Sequence, residues 1–146
     1  MNFILPAVIS LFTTCLAMFP TIKFAKKFNL LDNPKLRPHP AHIQNRIVPR
    51  AGGLACFLGL TITILIFIPL NSQTLGILLG LLILLLVGLW DDKYPNFSPY
   101  FRLLGQFIAA LIVVLAGVSI NFITNPLGGI INFHPLISPV LALFWI

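Results

Sequence analysis

Two adjacent carboxylates, Asp91 and Asp92, directly follow a long apolar segment at about residues 75–90. Acids at the C-terminal end of a helix are unfavourable by about 0.3–1 kcal/mol each, because that end already carries partial negative charge. A hard divalent cation would offset this, and Mg²⁺ commonly binds one or two carboxylates together with phosphates and water. Arg102 begins the next apolar segment, from where it can reach the same aqueous boundary. The pair indicates a magnesium and phosphate site, unless it is a solvated helix end neutralised by Lys93.

A second set of residues with suitable chemistry lies in the charged stretch between the first two apolar segments. Four prolines restrict this stretch from Asp32 onward, because each fixes its own φ and biases the preceding residue toward extended geometry. Arginine suits phosphate recognition, because its guanidinium fork donates two parallel hydrogen bonds to phosphate oxygens. A stiff stretch rich in arginine and histidine therefore predicts phosphate contacts. The candidate residues are Asp32, Arg37, His39, His42, Arg46 and Arg50.

Arg50 leads directly into Gly52 and Gly53, where the second apolar segment begins. Glycines at a helix N-terminus allow close approach of a ligand, and the free N–H groups there attract anions. The same features have a simpler interpretation, in which basic residues set the topology and glycines permit helix packing. His39 and His42 lie three residues apart, but no further histidine, cysteine or acid stands at a spacing that suggests a metal site.

The composition limits the class of protein. The chain has 146 residues, 58% hydrophobic and 8% charged, with a mean hydropathy of +1.02. Soluble domains are about 45–50% apolar and about 25% charged, and disordered chains need low hydrophobicity and high charge. Both classes are excluded, so we expect an integral membrane protein with a single domain, 1–146. The net charge of +6 comes without a nucleic-acid-binding motif, which favours anionic ligands at one membrane face over nucleic acid.

The elements that would position the candidate residues are transmembrane helices. A bilayer core about 30 Å thick needs about 20 apolar residues in a helix. Uncharged runs, divided by a polar turn at 69–74 and an interruption at 121–135, predict an all-α polytopic protein with about five transmembrane helices. The predicted spans are about 3–19, 52–68, 75–90, 103–120 and 136–146. The last is too short to cross the core, so we expect a truncated chain, either a fragment or half of a split protein.

The distribution of basic residues predicts the orientation in the membrane. All nine Lys and Arg lie within 23–50 and 93–102, the first and third connections. Cytoplasmic loops collect Lys and Arg. The sequence therefore predicts an N-terminus outside the cell and places Asp32, Asp91 and Asp92 on the cytoplasmic side.

Taken in order, these motifs resemble those of the polyprenyl-phosphate N-acetylhexosamine-1-phosphate transferases, membrane enzymes that start lipid-linked cell-wall and surface-polysaccharide synthesis. The similarity extends over essentially the whole chain, through Asp-x-Pro, Pro-Arg-x-Gly-Gly-Leu-Ala, Gly-Leu-x-Asp-Asp and Pro-x-x-Arg-x-x-Gly-Gln. The matching residues are Asp32, Pro34 and Arg37; Pro49, Arg50, Gly52, Gly53, Leu54 and Ala55; Gly88, Leu89, Asp91 and Asp92; and Pro99, Arg102, Gly105 and Gln106.

The resemblance implies a magnesium-dependent phosphotransferase. In that family polyprenyl phosphate, such as undecaprenyl phosphate, receives N-acetylhexosamine 1-phosphate from a UDP-sugar, and UMP is released. It implies that Asp91 and Asp92 are catalytic and hold Mg²⁺, at the cytoplasmic face of a bacterial plasma membrane. The residues implied in substrate or phosphate binding are Asp32, Arg37, His39, His42, Arg50, Gly52, Gly53 and Arg102.

The same resemblance implies the partners of the chain. They are the membrane, polyprenyl phosphate and UDP-N-acetylhexosamine, with a homodimer or a missing C-terminal half as further possibilities. The alternative function is an inactive fragment or a non-catalytic membrane subunit that lacks the second half of the site.

Overall fold

The structure, a computed structural model, describes residues 3–32, 47–94, 97–126 and 128–146. Helices account for most of these residues, and two short antiparallel ribbons lie in the connections between them. The elements in chain order are α1 (Ile4–Lys27), β1 (Leu31–Asp32), β2 (Val48–Pro49), α2 (Gly52–Phe67), α3 (Ser72–Lys93), α4 (Pro99–Leu115), β3 (Phe122–Thr124), β4 (Ile130–Asn132) and α5 (Ser138–Trp145).

Two of the described helices are long and apolar enough to cross a bilayer. They are α1, with 24 residues, and α3, with 22. The apolar helices α2 and α4 are shorter, with 16 and 17 residues, and α5 has 8. The prediction of a mostly helical architecture with apolar helices suited to a membrane is confirmed in this form. The number of spans and the external N-terminus stay predictions.

The helices extend beyond the apolar runs that predict them. Helix α1 continues past the predicted boundary at 19, through Pro20 to Lys27. Helix α3 begins at Ser72, where the side chain of Asn71 accepts a hydrogen bond from the backbone N–H of Thr74 at 2.8 Å. An apolar run marks the part of a helix that lipid can surround, and polar residues can continue the same helix into water.

Helix α1 packs against α2, and a glycine allows the two backbones to approach closely. A Cβ added at Gly59 would collide with the side chain of Thr14 and lie 3.0 Å from the carbonyl oxygen of Ser10. Small residues at helix interfaces permit this kind of contact in membranes. The position therefore fixes how α1 and α2 sit together.

Glycines bring α3 and α4 into similarly close contact. A Cβ added at Gly80 would lie 2.8 Å from Val113 Cγ2, and one added at Gly76 would collide with the Cβ of Ala116. The interface contacts pair Gly76 with Ala116, Gly80 with Val113, and Val87 with Gly105. The packing is antiparallel, because later positions in α3 meet earlier positions in α4.

Two short ribbons lie in the connections of this mostly helical chain. In the first connection Leu31–Asp32 pairs with Val48–Pro49. In the last, Phe122–Thr124 pairs with Ile130–Asn132, in a segment for which the sequence predicts only an interruption. Backbone N–H and C=O groups outside helices still need partners, and ribbon pairing supplies them here.

The second ribbon is attached to the start of α5. The hydroxyl of Ser138, a buried residue, lies within hydrogen-bond distance of the Ile120 carbonyl oxygen and 2.7 Å from Asn121 Oδ1. The backbone N–H of Phe133 donates to the Asn121 carbonyl at 2.8 Å. These bonds join the base of the hairpin to α5.

A small apolar core joins the helix ends that carry the charged candidates. Ala25, Leu30 and Ala51 are buried there, and Phe24 and Leu89 pack against them. These residues come from the end of α1, the base of the first ribbon, the N-cap of α2 and the end of α3. The core therefore places the first ribbon beside the last turns of α3.

Candidate functional site

The first ribbon holds Asp32 and Arg50 together as an ion pair. Arg50 Nη2 lies 3.2 Å from Asp32 Oδ2, and the Arg50 backbone N–H donates to the Leu30 carbonyl at 2.9 Å. Asp32 is 6% exposed, whereas 32% of the Arg50 side chain reaches solvent. A buried charge is costly unless it is paired. The pair therefore stabilises the base of the connection 33–46 and keeps a guanidinium at its edge.

A second ion pair joins the last turn of α3 to the first turn of α4. Arg102 Nη2 donates to Asp91 Oδ1 at 2.6 Å. The Arg102 and Asp91 side chains are 49% and 30% exposed, so water screens the pair, and it contributes only about 0–1 kcal/mol to stability. Lys93 places its ammonium over the Tyr94 ring, 5.8 Å from the centroid. Among the described residues, Arg102 is therefore the cation that pairs with Asp91.

Asp92 lines a groove of about 270 Å³ between α2 and α3. Gly53 at the start of α2 and Asp92 at the end of α3 mark one end of this groove, because the two helices run antiparallel. The walls are otherwise apolar. From α2 come Gly53, Cys56, Phe57 and Leu60, and from α3 come Leu81, Leu84, Leu85, Gly88, Leu89 and Asp92.

Three glycines at this end of the helices face open space. A Cβ added at Gly52, Gly53 or Gly88 would meet no atom of the described chain within 4 Å. Gly53 and Gly88 both line the groove beside Asp92. The helix-packing interpretation of Gly52 and Gly53 therefore finds no support in the part of the chain that the structure describes. Because glycine has no side chain, Gly53 and Gly88 instead leave space in the groove that Asp92 also lines.

The structure brings the described candidate residues to one end of the helices. The apolar core joins the first ribbon to the end of α3, and the groove and the second ion pair add the starts of α2 and α4. The residues gathered there are Asp32, Arg50, Gly52, Gly53, Asp91, Asp92 and Arg102. Arg37, His39, His42 and Arg46 lie outside the described residues, so their roles stay predictions.

The carboxylates at the end of α3 are candidate oxygen donors for a metal ion. Within 3–32, 47–94, 97–126 and 128–146, no group of three or more His, Cys, Asp or Glu could hold a metal. Mg²⁺ keeps several waters and usually binds through one or two carboxylates plus substrate phosphates. Two carboxylates would be only a partial site for Mg²⁺, which phosphate and water would have to complete.

Sequence analysis misses the groove itself. Leu81, Leu85, Gly88 and Asp92 follow one another at steps of four, three and four residues, which is the spacing of one helix face. This pattern indicates that Asp92 continues an apolar stripe. It is hard to find in the sequence because α3 is apolar on nearly every side.

A larger groove of about 1050 Å³ lies between α3, α4 and α5. Its described walls include Leu84, Gln106, Phe107 and Phe144, and no charged side chain lines it. The smaller groove is the one that joins apolar walls to a carboxylate. It is therefore the better candidate for a ligand with an apolar chain and a polar head group.

Apolar helices with a charged site at one end define a helical protein suited to a membrane. Residues 74–146, from the first turn of α3 onward, match glycosyl transferase family 4. The chain belongs to this family. The matched region contains Asp91, Asp92 and Arg102.

Two curated bacterial proteins are similar to the chain. A probable undecaprenyl-phosphate N-acetylglucosaminyl 1-phosphate transferase of Bacillus subtilis (strain 168) is 31% identical over 115 residues, which cover 77% of this chain and 31% of that protein. An undecaprenyl-phosphate alpha-N-acetylglucosaminyl 1-phosphate transferase of Pasteurella multocida (strain Pm70) is 30% identical over 129 residues, which cover 85% and 34%. The chain thus spans about a third of the length of these relatives. No solved structure matches it.

Proposed function

We propose that the chain forms part of a membrane transferase that moves N-acetylhexosamine 1-phosphate from a UDP-sugar to polyprenyl phosphate and releases UMP. Family membership and the names of the two relatives support this class of reaction. Both names specify undecaprenyl phosphate and an N-acetylglucosaminyl 1-phosphate group, and we propose the same pair for this chain. The family relationship favours this reading over a non-catalytic membrane subunit.

The observation that carries the proposal is the apolar groove between α2 and α3 with Asp92 at its end. Polyprenyl phosphate is divided in the same way as the groove, because it has a long apolar chain and a charged head group. In a membrane the chain stays among apolar side chains, while the head group remains at the aqueous boundary. The last turn of α3 is the place where such a head group would meet the charged residues of the site.

The proposed reaction requires two anionic groups to meet. An oxygen of polyprenyl phosphate attacks the β-phosphorus of the UDP-sugar, the bond from that phosphorus to the bridging oxygen breaks, and UMP leaves. Phosphoryl transfer depends mainly on positioning and charge neutralisation. Mg²⁺ held at the Asp91–Asp92 pair would supply neutralising charge.

Arginines are the means by which the chain itself would hold phosphate. Arg50 and Arg102 each pair with a carboxylate, and both remain partly exposed. A guanidinium has several N–H donors, so each keeps donors for a phosphate oxygen while its ion pair orients it. In this proposal Asp32 positions Arg50. The remaining proposed phosphate contacts are Arg37, His39 and His42.

We propose that the site faces the cytoplasm of a bacterial cell from the plasma membrane. The water-soluble UDP-sugar must reach it from that side, and the basic residues favour the same orientation. Because the relatives are about three times as long as the matched region, we also propose that further polypeptide or a second copy of this chain completes the site.

Transfer by the protein purified from its native membrane tests the proposal. The assay combines undecaprenyl phosphate, labelled UDP-N-acetylglucosamine and Mg²⁺, and measures labelled lipid together with released UMP. We expect Asp92→Asn to lower the rate by about a hundredfold or more, which is the loss typical of removing one preorganised electrostatic group. We also expect chelation by EDTA to stop transfer and added Mg²⁺ to restore it.

Lys93→Gln is a neighbouring control, because it substitutes the next position of the same helix turn and removes a charge of the opposite sign. We expect this variant to keep the wild-type rate. Transfer by Asp92→Asn at the wild-type rate would refute the proposed site. A wild-type protein that makes no labelled lipid and releases no UMP would refute the proposed reaction.

A further inference from the structure

We infer that the second ribbon, β3 with β4, contacts lipid: its face with Ile123 and Ile131 lies against phospholipid acyl chains at the membrane boundary opposite the charged site. The inference rests on the membrane placement in the proposed function, but not on the proposed reaction. A two-stranded ribbon is marginally stable at best in water, so exposed apolar side chains on it need a partner. Four of them are between 49% and 63% exposed, namely Phe122, Ile123, Ile130 and Ile131.

The helices before the ribbon place it at that boundary. From Ser72 to Asp91, α3 is about 29 Å long at about 1.5 Å per residue, close to the thickness of the hydrocarbon core, about 30 Å. The two polar ends of α3 therefore match the two boundaries of the core. Gln73 Nε2 donates to the Gly117 carbonyl oxygen at 2.9 Å, so the chain that leaves α4 is held at the level where α3 begins.

The segment that contains the ribbon carries no formal charge from acidic or basic side chains. Residues 103–146 contain no Lys, Arg, Asp or Glu. An acidic or basic surface of another macromolecule would therefore find no opposite charge here. Contact with acyl chains depends on apolar area and needs no charge, which favours lipid as the partner of this ribbon.

The attachment of the ribbon to α5 determines which of its faces turns toward the bilayer. Asn121 Oδ1 lies 2.7 Å from the Ser138 hydroxyl oxygen at the start of α5. Side chains two positions apart share a strand face, so Ile123 lies on the same face as Asn121, and the register places Ile131 opposite Ile123. Residues near the end of α5 line the groove between α3 and α4, so α5 runs back along these helices. The face with the two isoleucines therefore turns toward the side on which α5 enters the membrane.

The backbone of the ribbon limits how deep it can lie. The Phe133 N–H donates to the Asn121 carbonyl at 2.8 Å, and the Asn125 N–H donates to the Gly129 carbonyl at 3.1 Å. In an antiparallel ribbon the residues between such bonded pairs direct their N–H and C=O groups to the edges. Those groups would be costly in hydrocarbon, whereas water and lipid head groups supply partners at the boundary. The residues with edge-directed groups are Phe122, Thr124, Ile130 and Asn132.

Nitroxide labels on single cysteines measure the position of the ribbon in phosphatidylcholine nanodiscs. The labels are introduced in a chain with Cys15→Ser and Cys56→Ser, which removes the two native thiols. Power-saturation electron paramagnetic resonance gives the ratio of collisions with oxygen, which concentrates among acyl chains, to collisions with a water-soluble nickel chelate. A high ratio therefore indicates lipid, and a low ratio indicates water.

Two positions on neighbouring residues of β3 are compared with two reference positions on α3. Leu79→Cys, at an exposed position in the middle of α3, gives the lipid value, and Lys93→Cys at its charged end gives the aqueous value. We expect the ratio at Ile123→Cys to lie nearer the lipid value. We expect the ratio at Thr124→Cys to lie nearer the aqueous value, because neighbouring residues of a strand face opposite sides. Ile131→Cys repeats the first measurement if far-UV circular dichroism shows that Ile123→Cys does not fold.

Three results would overturn the inference. A ratio at Ile123→Cys no higher than at Thr124→Cys would exclude the stated orientation. Few collisions with either reagent at Ile123→Cys would show that protein covers this face, and spin–spin broadening would identify that protein as a second copy of the chain. A Leu79→Cys ratio equal to the Lys93→Cys ratio would refute the membrane placement of α3 itself. Absence of labelled lipid in the transfer assay would change none of these ratios, so failure of the proposed reaction is distinguishable.

Discussion

Replacing Gly76 by Ala is expected to push α3 and α4 apart. The added Cβ would collide with the Cβ of Ala116 and lie 3.5 Å from the carbonyl oxygen of Ile112. Neither atom can rotate away, because a Cβ and a backbone oxygen are fixed by the conformation of the main chain. One helix must therefore move, and such overpacking typically costs about 1–3 kcal/mol.

Gly88→Ala in the same helix is the matched control. Its added Cβ would meet no described atom within 4 Å. Both substitutions gain about 0.5–1 kcal/mol by replacing a glycine inside a helix, so this contribution cancels when the two variants are compared. The difference that remains is the overpacking of about 1–3 kcal/mol, with Gly76→Ala the less stable variant.

Titration with sodium dodecyl sulfate in mixed micelles, followed by far-UV circular dichroism, measures the free energy of unfolding of both variants. A Gly76→Ala protein that is as stable as Gly88→Ala, or more stable, would refute the close contact between α3 and α4.

Three further substitutions test other contacts of the fold. Asn71→Ala removes the side chain that accepts from the Thr74 N–H, and we expect unfolding to become about 1 kcal/mol easier, while Asn71→Asp stays near the wild type. Ser138→Ala removes the hydroxyl at the base of the second ribbon; we expect faster amide hydrogen exchange there, and unchanged exchange would contradict the bond. Arg50→Ala removes the cation 3.2 Å from the buried Asp32 carboxylate, and we expect a loss of about 1–3 kcal/mol. A wild-type unfolding midpoint would show that this ion pair contributes no stability.

The helices could be predicted from the sequence because lipid exposure leaves long uncharged runs. The ends of the helices could not be predicted in the same way, because a helix can continue through polar and charged residues beyond its apolar run. Lys27 ends α1 well beyond its apolar run, and Asp91 and Asp92 belong to the last turn of α3. The ribbons could not be predicted either, because the pairing of Leu31 with Pro49 joins residues that are distant in the sequence.

The candidate site could be predicted as a set of residues but not as a set of contacts. Arginines and carboxylates in two connections indicate phosphate chemistry, and the helix ends bring them to one place. Which acid meets which arginine depends on packing, because Asp32 pairs with Arg50 across a ribbon and Asp91 with Arg102 across a helix interface. The groove beside Asp92 is formed by two helices, α2 and α3, so it cannot be predicted from the sequence of either helix alone.

The first ribbon has a consequence for how this protein could diversify. It brings the two ends of the connection 33–46 side by side, and an ion pair secures them at the base. The free energy of closing a loop rises only slowly with its length, so residues could be inserted or exchanged beyond the ribbon without disturbing the helices. Pairing at the base of the connection therefore separates its length from the packing of the helices, so that the two could change independently.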